Sequence, residues 1–248
     1  MKLAICFLTT NEKHFNLNIL KQQIKDSKLH NIDLYVYVDN NDNYVIKDNI
    51  TYFNYQYLKN KFNYQHTYYS GNVNGSTVFY KAGMQFLPWL DMYTNHKDEY
   101  DMYLFFEDDV SYFSDKNLFD SIDFNCDALF QNKRITVEED EWWWWYHSEY
   151  KIDRNKIQKT FHGLLNIYGC KQHIINDFIN FLNEDNYIHH ELLLSAFILN
   201  NCNIKVNYVD DYFKCYFTYI NKYSLEEKYD FVHPVKTLEK YNFLNNLK

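Results

Sequence analysis

The strongest constraint on this chain is a short apolar run that ends in three carboxylates: Met102-Tyr-Leu-Phe-Phe106, then Glu107-Asp108-Asp109. Five residues this apolar and aromatic read as a strand buried on both faces, which belongs inside a parallel sheet. Carboxylates at the end of such a strand lose hydration, and that is costly unless a cation neutralises them. A hard divalent ion suits them, because Mg2+ and Mn2+ take oxygen ligands and bridge carboxylates to phosphates. Alternation along a strand points Glu107 and Asp109 to one site and Asp108 elsewhere. The plain alternative is a solvated acidic turn that caps the strand.

The residues before this run place it in context. Leu3–Leu8 is an apolar strand followed by the polar turn Thr9-Thr10-Asn11. A helical pattern follows, with Phe15, Ile19, Leu20 and Ile24 on one face. Leu34–Val38 is a second strand, ending at Asp39, and Ile50–Phe53 a short third. Ser76–Met92 reads as helical, kinked or divided at Pro88. The resulting β-α-β-β-α-β order predicts an α/β fold with a mostly parallel central sheet and helices on both faces. Ligands of such sheets bind beyond the carboxyl ends of the strands. Thr9, Thr10 and Asn11, Asp39, and the acidic triplet all converge there.

The second half is less regular. Ala128–Phe130, Leu164–Tyr168 and Ile204–Val209 read as strands. Ile174, Ile175, Phe178, Ile179 and Leu182 mark one amphipathic helix, and Leu192–Leu199 marks another. No internal repeat and no linker rich in Gly, Pro or Ser divides the chain, so one domain over residues 1–248 is expected.

Composition removes several classes. A net charge of -8 without a basic run argues against nucleic acid as the main partner. The 46% hydrophobic and 20% aromatic content excludes a disordered chain. Leu3–Leu8 is too short for a signal peptide or for a membrane span of about 20 residues. Cys6, Cys126, Cys170, Cys202 and Cys215 form no CxxC pair, which fits reduced, buried thiols and a cytoplasmic location. Heavy use of Tyr, Phe, Asn and Lys, with Arg134 and Arg154 the only arginines, matches AT-rich codons, as in a large DNA virus or a low-GC bacterium.

The strand Phe105-Phe106 running into Glu107-Asp108-Asp109-Val110 resembles the DxD-type motif of GT-A fold glycosyltransferases, with Glu107 where that motif usually opens on Asp. The resemblance implies a GT-A-like domain with a nucleotide-binding half over 1–110 and an acceptor-binding half over 111–248. It implies transfer of a sugar from a nucleotide diphosphate sugar to a hydroxyl of a saccharide or glycoprotein acceptor, with Mn2+ or Mg2+ on Glu107 and Asp109. Thr9 and Asn11 would line the nucleotide pocket, with Asp108 beside the donor, and Asp39 would accept hydrogen bonds from the base or ribose. In that family a His near the C-terminus often adds a metal ligand and a neighbouring base neutralises the diphosphate. His233 and Lys236 of His233-Pro234-Val235-Lys236 fit those roles, although an ordinary packed His fits as well.

Four further features remain open between function and structure. Glu191, 82 residues after Asp109 (191 − 109), is either a general base for the acceptor or an acid favoured by a helix start. Trp142–Trp145, behind Glu138–Glu141, is an acceptor platform, a partner or membrane contact, or core. Lys81, with Ser76 and Thr77 near a helix start, is placed to approach a phosphate or the donor sugar. Asp210-Asp211 reads as a solvated turn or a second acidic site. Two other classes compete. A sugar-nucleotide pyrophosphorylase would want a Gly-rich basic loop after the first strand, and Thr9–Lys13 has no glycine. A non-catalytic glycan-binding protein would use the tryptophans and have no need of three carboxylates on a buried strand.

Overall fold

The computed structural model describes residues 1–39, 44–64, 69–73, 76–80, 85–131, 134–136, 159–161, 166–183, 190–200, 204–217 and 228–246. In chain order the elements are β1 (Leu3–Thr9), α1 (Phe15–Asp26), β2 (Ile32–Asp39), β3 (Val45–Lys47), β4 (Ile50–Phe53), α2 (Tyr55–Lys61), β5 (Tyr69–Val73), β6 (Ser76–Tyr80) and α3 (Phe86–Asn95). They continue with β7 (Met102–Glu107), β8 (Ser111–Tyr112), α4 (Leu118–Ser121), β9 (Ala128–Phe130), β10 (Arg134–Thr136), β11 (Lys159–Phe161), β12 (Ile167–Cys170), α5 (Gln172–Asn183) and α6 (His190–Asn200). The last are β13 (Val206–Tyr208), a 3-10 turn (Val209–Asp211), β14 (Cys215–Phe217), β15 (Phe231–His233) and α7 (Leu238–Asn245).

Eight strands form one sheet in the order β13-β9-β12-β7-β1-β2-β4-β3. Only β12 and β3 run against the rest, so the sheet is mostly parallel. Every residue of β1 is buried, which explains its unbroken apolar sequence. Burying one such side chain contributes about 1.5–3 kcal/mol, against a strand propensity range of about 1 kcal/mol. Burial therefore decides which strands are central.

The two faces of β1 separate cleanly. Ala4, Cys6 and Leu8 join a core with Trp89 of α3, Leu58 of α2, Phe178 of α5 and Leu193 of α6. Leu3, Ile5 and Phe7 join a second core with Leu17 and Leu20 of α1 and Phe119 of α4. Helices thus cover both faces, as the element order predicts. A buried carboxylate crosses the first core: Asp91, 0% exposed, takes Lys61 Nζ at 2.5 Å and the hydroxyls of Tyr37 and Tyr44 at 2.9 and 2.7 Å.

The region expected to be helical from Ser76 is different. Ser76–Tyr80 is a strand paired antiparallel with Tyr69–Val73, and the helix begins only at Phe86. Thr77, Val78, Phe79 and Tyr80 are β-branched or aromatic and suit a hairpin, and the apparent helical period ran across two separate elements. Ser76 and Thr77 therefore sit on a strand and not near a helix start. Pro88 falls in the first turn of α3, where its missing N–H has no partner to lose. The strand expected at Leu164–Tyr168 spans Ile167–Cys170, and the one expected at Ile204–Val209 ends at Tyr208, where the 3-10 turn begins.

A smaller sheet, β14-β15-β8, brings the C-terminal segment to the acidic triplet. β15 pairs antiparallel with β8, which follows the triplet directly, and Val235 N donates to Asp109 O at 2.7 Å. Leu244 of α7 packs with Phe113, Val232 and Val235 behind it. Sequence separation of 124 residues (233 − 109) is closed in this way.

Candidate metal and nucleotide site

The carboxyl ends of β1, β2, β7, β9 and β13 share one edge of the sheet, and antiparallel β12 begins there. Polar residues follow from that geometry: Thr9, Asp39, Glu107–Asp109, Gln131, Asn166 and Asp210 all lie along it. The three acids of the triplet face different partners.

Glu107 is the last residue of β7. Gln85 Nε2 donates to its Oε1 at 2.8 Å, and Asn166 Nδ2 donates to its Oε2. Burial, and next the charge of Asp109, push its carboxyl up to about 8. Asp108 turns the other way, toward α1. Thr9 Oγ1 donates to its carboxylate at 2.7 Å, and Asn16 Nδ2 donates to its main-chain oxygen at 2.7 Å. Burial still raises its pKa, outweighing the Thr9 bond. Asn16 Oδ1 accepts from Ser111 Oγ at 2.8 Å, so one buried amide clamps both sides of the acidic turn.

Asp109 meets the C-terminal segment. Its Oδ1 lies 3.0 Å from His233 Nε2, and its Oδ2 lies 3.7 Å from Lys236 Nζ. Burial alone would raise the Asp109 carboxyl; the His233 hydrogen bond and the charges of His233 and Lys236 hold it below the usual value. One donor atom each from Glu107, Asp109 and His233 lies within 4.8 Å of the other two. Two carboxylates and an imidazole, with His233 6% exposed and its neighbours half-buried, are a donor set suited to Mn2+ or Mg2+. The residues fit the cation that the sequence implies. Asp108 is not among the three.

The other expected residues fall as follows. Thr9 is 2% exposed and its hydroxyl braces Asp108 while accepting from Asn11 N at 3.0 Å. Asn11 is exposed, and its Oδ1 accepts from Lys13 N at 3.0 Å. Asp39 ends β2, and its buried Oδ1 has no hydrogen-bond partner among the described residues. Tyr55, at the start of α2, stands near it; burial first, then the charges of Asp39 and Glu107, raise its hydroxyl well above the ordinary value. Glu191 is the second residue of α6, at a helix start as expected, and its side chain lies outside the described residues. Lys81, Glu138–Glu141 and Trp142–Trp145 also lie outside them. Asp210 and Asp211 belong to the 3-10 turn, where Asp210 N donates to Gln131 O at 3.2 Å.

Four residues at this edge escaped the reading of the sequence: Asn16, Gln85, Gln131 and Asn166. The signal for two of them was present. Gln131 follows the apolar run Ala128–Phe130 as Glu107 follows Met102–Phe106, and Asn166 precedes the strand that returns beside β7.

No protein-family model matches the sequence, and no characterised protein matches it at the level of sequence. Solved structures do resemble it in three dimensions. One is 4-diphosphocytidyl-2C-methyl-D-erythritol synthase from Anaerococcus prevotii: 11% identity, TM-score 0.45, covering 98% of this chain and 94% of that one. A second is mouse xyloside xylosyltransferase 1, at 11% identity and TM-score 0.41, covering 84% of each chain. A third is the galactosyltransferase LgtC with donor and acceptor sugar analogues, at 10% identity and TM-score 0.38, covering 83% of this chain and 72% of that one. Likeness at this identity and score assigns no role to any residue; the chain is an α/β protein whose acidic site stands on its own geometry.

Proposed function

We propose that this protein is a GT-A-like glycosyltransferase that moves a sugar from a nucleotide diphosphate sugar to a hydroxyl acceptor. The observation that carries the reading is the meeting of Glu107, Asp109 and His233 at the carboxyl edge of a mostly parallel sheet. Glu107, Asp109 and His233 would hold Mn2+ or Mg2+, which supplies Lewis-acid neutralisation of a leaving diphosphate. Lys236, 3.7 Å from Asp109 and largely exposed, adds a positive charge that a diphosphate oxygen can share. Thr9 and Asn16 fix the acidic turn so that Asp109 keeps its place at His233. Asp39, with an unpartnered buried oxygen, accepts a hydroxyl of the ribose or an N–H of the base. Glu191 accepts the acceptor's proton if the transfer inverts, and the tryptophan segment stacks the acceptor sugar.

The test is a thermal-shift screen of UDP, GDP and their sugars, with and without Mn2+. A ligand at 100 times its Kd stabilises a folded chain by about 2.7 kcal/mol. The reading expects such a shift only when nucleotide and cation are present together. A shift by nucleotide that ignores Mn2+ contradicts it.

A further inference from the structure

We infer that Gln131 and Asn166 form a hydroxyl-reading pair beside Glu107 that selects the sugar of the donor. The inference rests on the transferase reading and deepens it. Gln131 follows β9 and is 0% exposed; Asn166 precedes β12 and is 5% exposed. Asn166 N donates to Gln131 Oε1 at 3.1 Å. A main-chain N–H can only donate, so the Gln131 amide has one orientation and its Nε2 must face away from that bond. That Nε2 has no acceptor among the described residues. With Glu107 ionised, as a bound cation would hold it, Asn166 gives its Nδ2 to Glu107; it also takes Glu107 N on its main-chain oxygen at 3.0 Å. Its Oδ1, also buried, has no donor among the described residues.

Two buried amides thus leave one donor and one acceptor unsatisfied at the ligand-binding edge of the sheet. Unsatisfied buried polar atoms are uncommon and call for a partner. The chemistry of that partner follows from the pair. A cation suits Asn166 Oδ1 and is repelled by the Gln131 N–H groups. A phosphate suits the N–H groups and is repelled by the oxygen. A hydroxyl donates and accepts, and is the one group that suits either atom.

Location makes it a hydroxyl of the donor sugar. Asn166 contacts Glu107 directly, and Glu107 belongs to the group that would hold the cation on the diphosphate. The sugar is bonded to that diphosphate, so its ring hydroxyls fall within one hexose of Glu107. Buried amides built to bond a hydroxyl reject an analogue that lacks it far more strongly than an apolar pocket rejects an extra methylene. Gln131 is therefore a specificity residue, and Asn166 both reads and positions.

Two substitutions test this. Gln131→Leu removes both polar atoms, and Gln131→Met removes them while keeping the length of the side chain. Calorimetry with Mn2+ gives Kd for UDP, UDP-glucose, UDP-galactose, UDP-N-acetylglucosamine, GDP, GDP-mannose and GDP-fucose. The unaltered protein should prefer one sugar over others on the same base by ~10-fold or more, and both variants should compress that preference to ~3-fold or less. Kd for the bare diphosphate should stay within ~3-fold, which shows that the fold and the cation site survive. A preference that persists in both variants, or its absence from the unaltered protein, overturns the inference while leaving the transferase reading intact. Failure of the unaltered protein to bind any of these nucleotides with Mn2+ overturns both.

Discussion

Substituting Glu107 by Gln separates the cost of the acidic site from its use. In the metal-free protein the Glu107 carboxyl holds its proton up to about 8, against an ordinary value of 4.5, because of burial and then Asp109. A cation that uses Glu107 as a ligand must displace that proton. One displaced proton makes the apparent affinity fall tenfold per pH unit well below about 8, so Mn2+ should bind at least ~50-fold more weakly at pH 6 than at pH 8. Calorimetry in two buffers of different ionisation enthalpy should find at least one proton released per Mn2+ at pH 6.5. The stability of the metal-free protein runs the other way. A carboxyl whose folded pKa is raised contributes fully below its unfolded pKa, and that contribution is lost as pH rises toward the folded one. The Tm of the native protein should therefore fall relative to Glu107→Gln between pH 5 and 8. Mn2+ affinity that stays flat from pH 6 to 8, with a Tm difference that does not change sign or size, would show that Glu107 gives up no proton to the cation.

Three other perturbations have defined outcomes. Lys61→Met leaves the Asp91 carboxylate, 0% exposed, without its cation, and chemical denaturation should show a loss of about 3–5 kcal/mol with Mn2+ binding unchanged. Gly169→Val should cost about 1–3 kcal/mol in the same assay, because a Cβ there would lie 3.0 Å from Tyr103 O and overlap the Leu104 side chain across the β12–β7 pair. Glu191→Gln should lower turnover by ~10²–10⁴-fold with donor affinity kept if Glu191 is the base; near-normal kcat with a small drop in Tm assigns it to the helix start instead.

The sheet was legible because its central strands are buried on both faces and carry unbroken apolar runs, as in Leu3–Leu8 and Met102–Phe106. The hairpin Tyr69–Val73 and Ser76–Tyr80 was not, because Val78, Phe79 and Tyr80 fit a helical stripe as well as a pleated one when read alone. At the site, the opposite orientations of Glu107 and Asp108 follow from alternation, and Asp108 does turn to Thr9. His233 could be placed from sequence only by resemblance. What carries it to Asp109 is the pairing of β15 with β8, a long-range contact with no local signature. Gln131 and Asn166 were missed because neutral amides attract no attention until their hydrogen bonds are counted.

The central claim is that Glu107, Asp109 and His233 hold a divalent cation, and anomalous scattering from crystals grown with Mn2+ and a nucleoside diphosphate tests it most directly. A cation held there gives a peak between these three side chains, at about 2.0–2.4 Å from one atom of each, and the peak is lost in crystals of Asp109→Ala. A peak elsewhere, or none at saturating Mn2+ with the nucleotide in place, contradicts it.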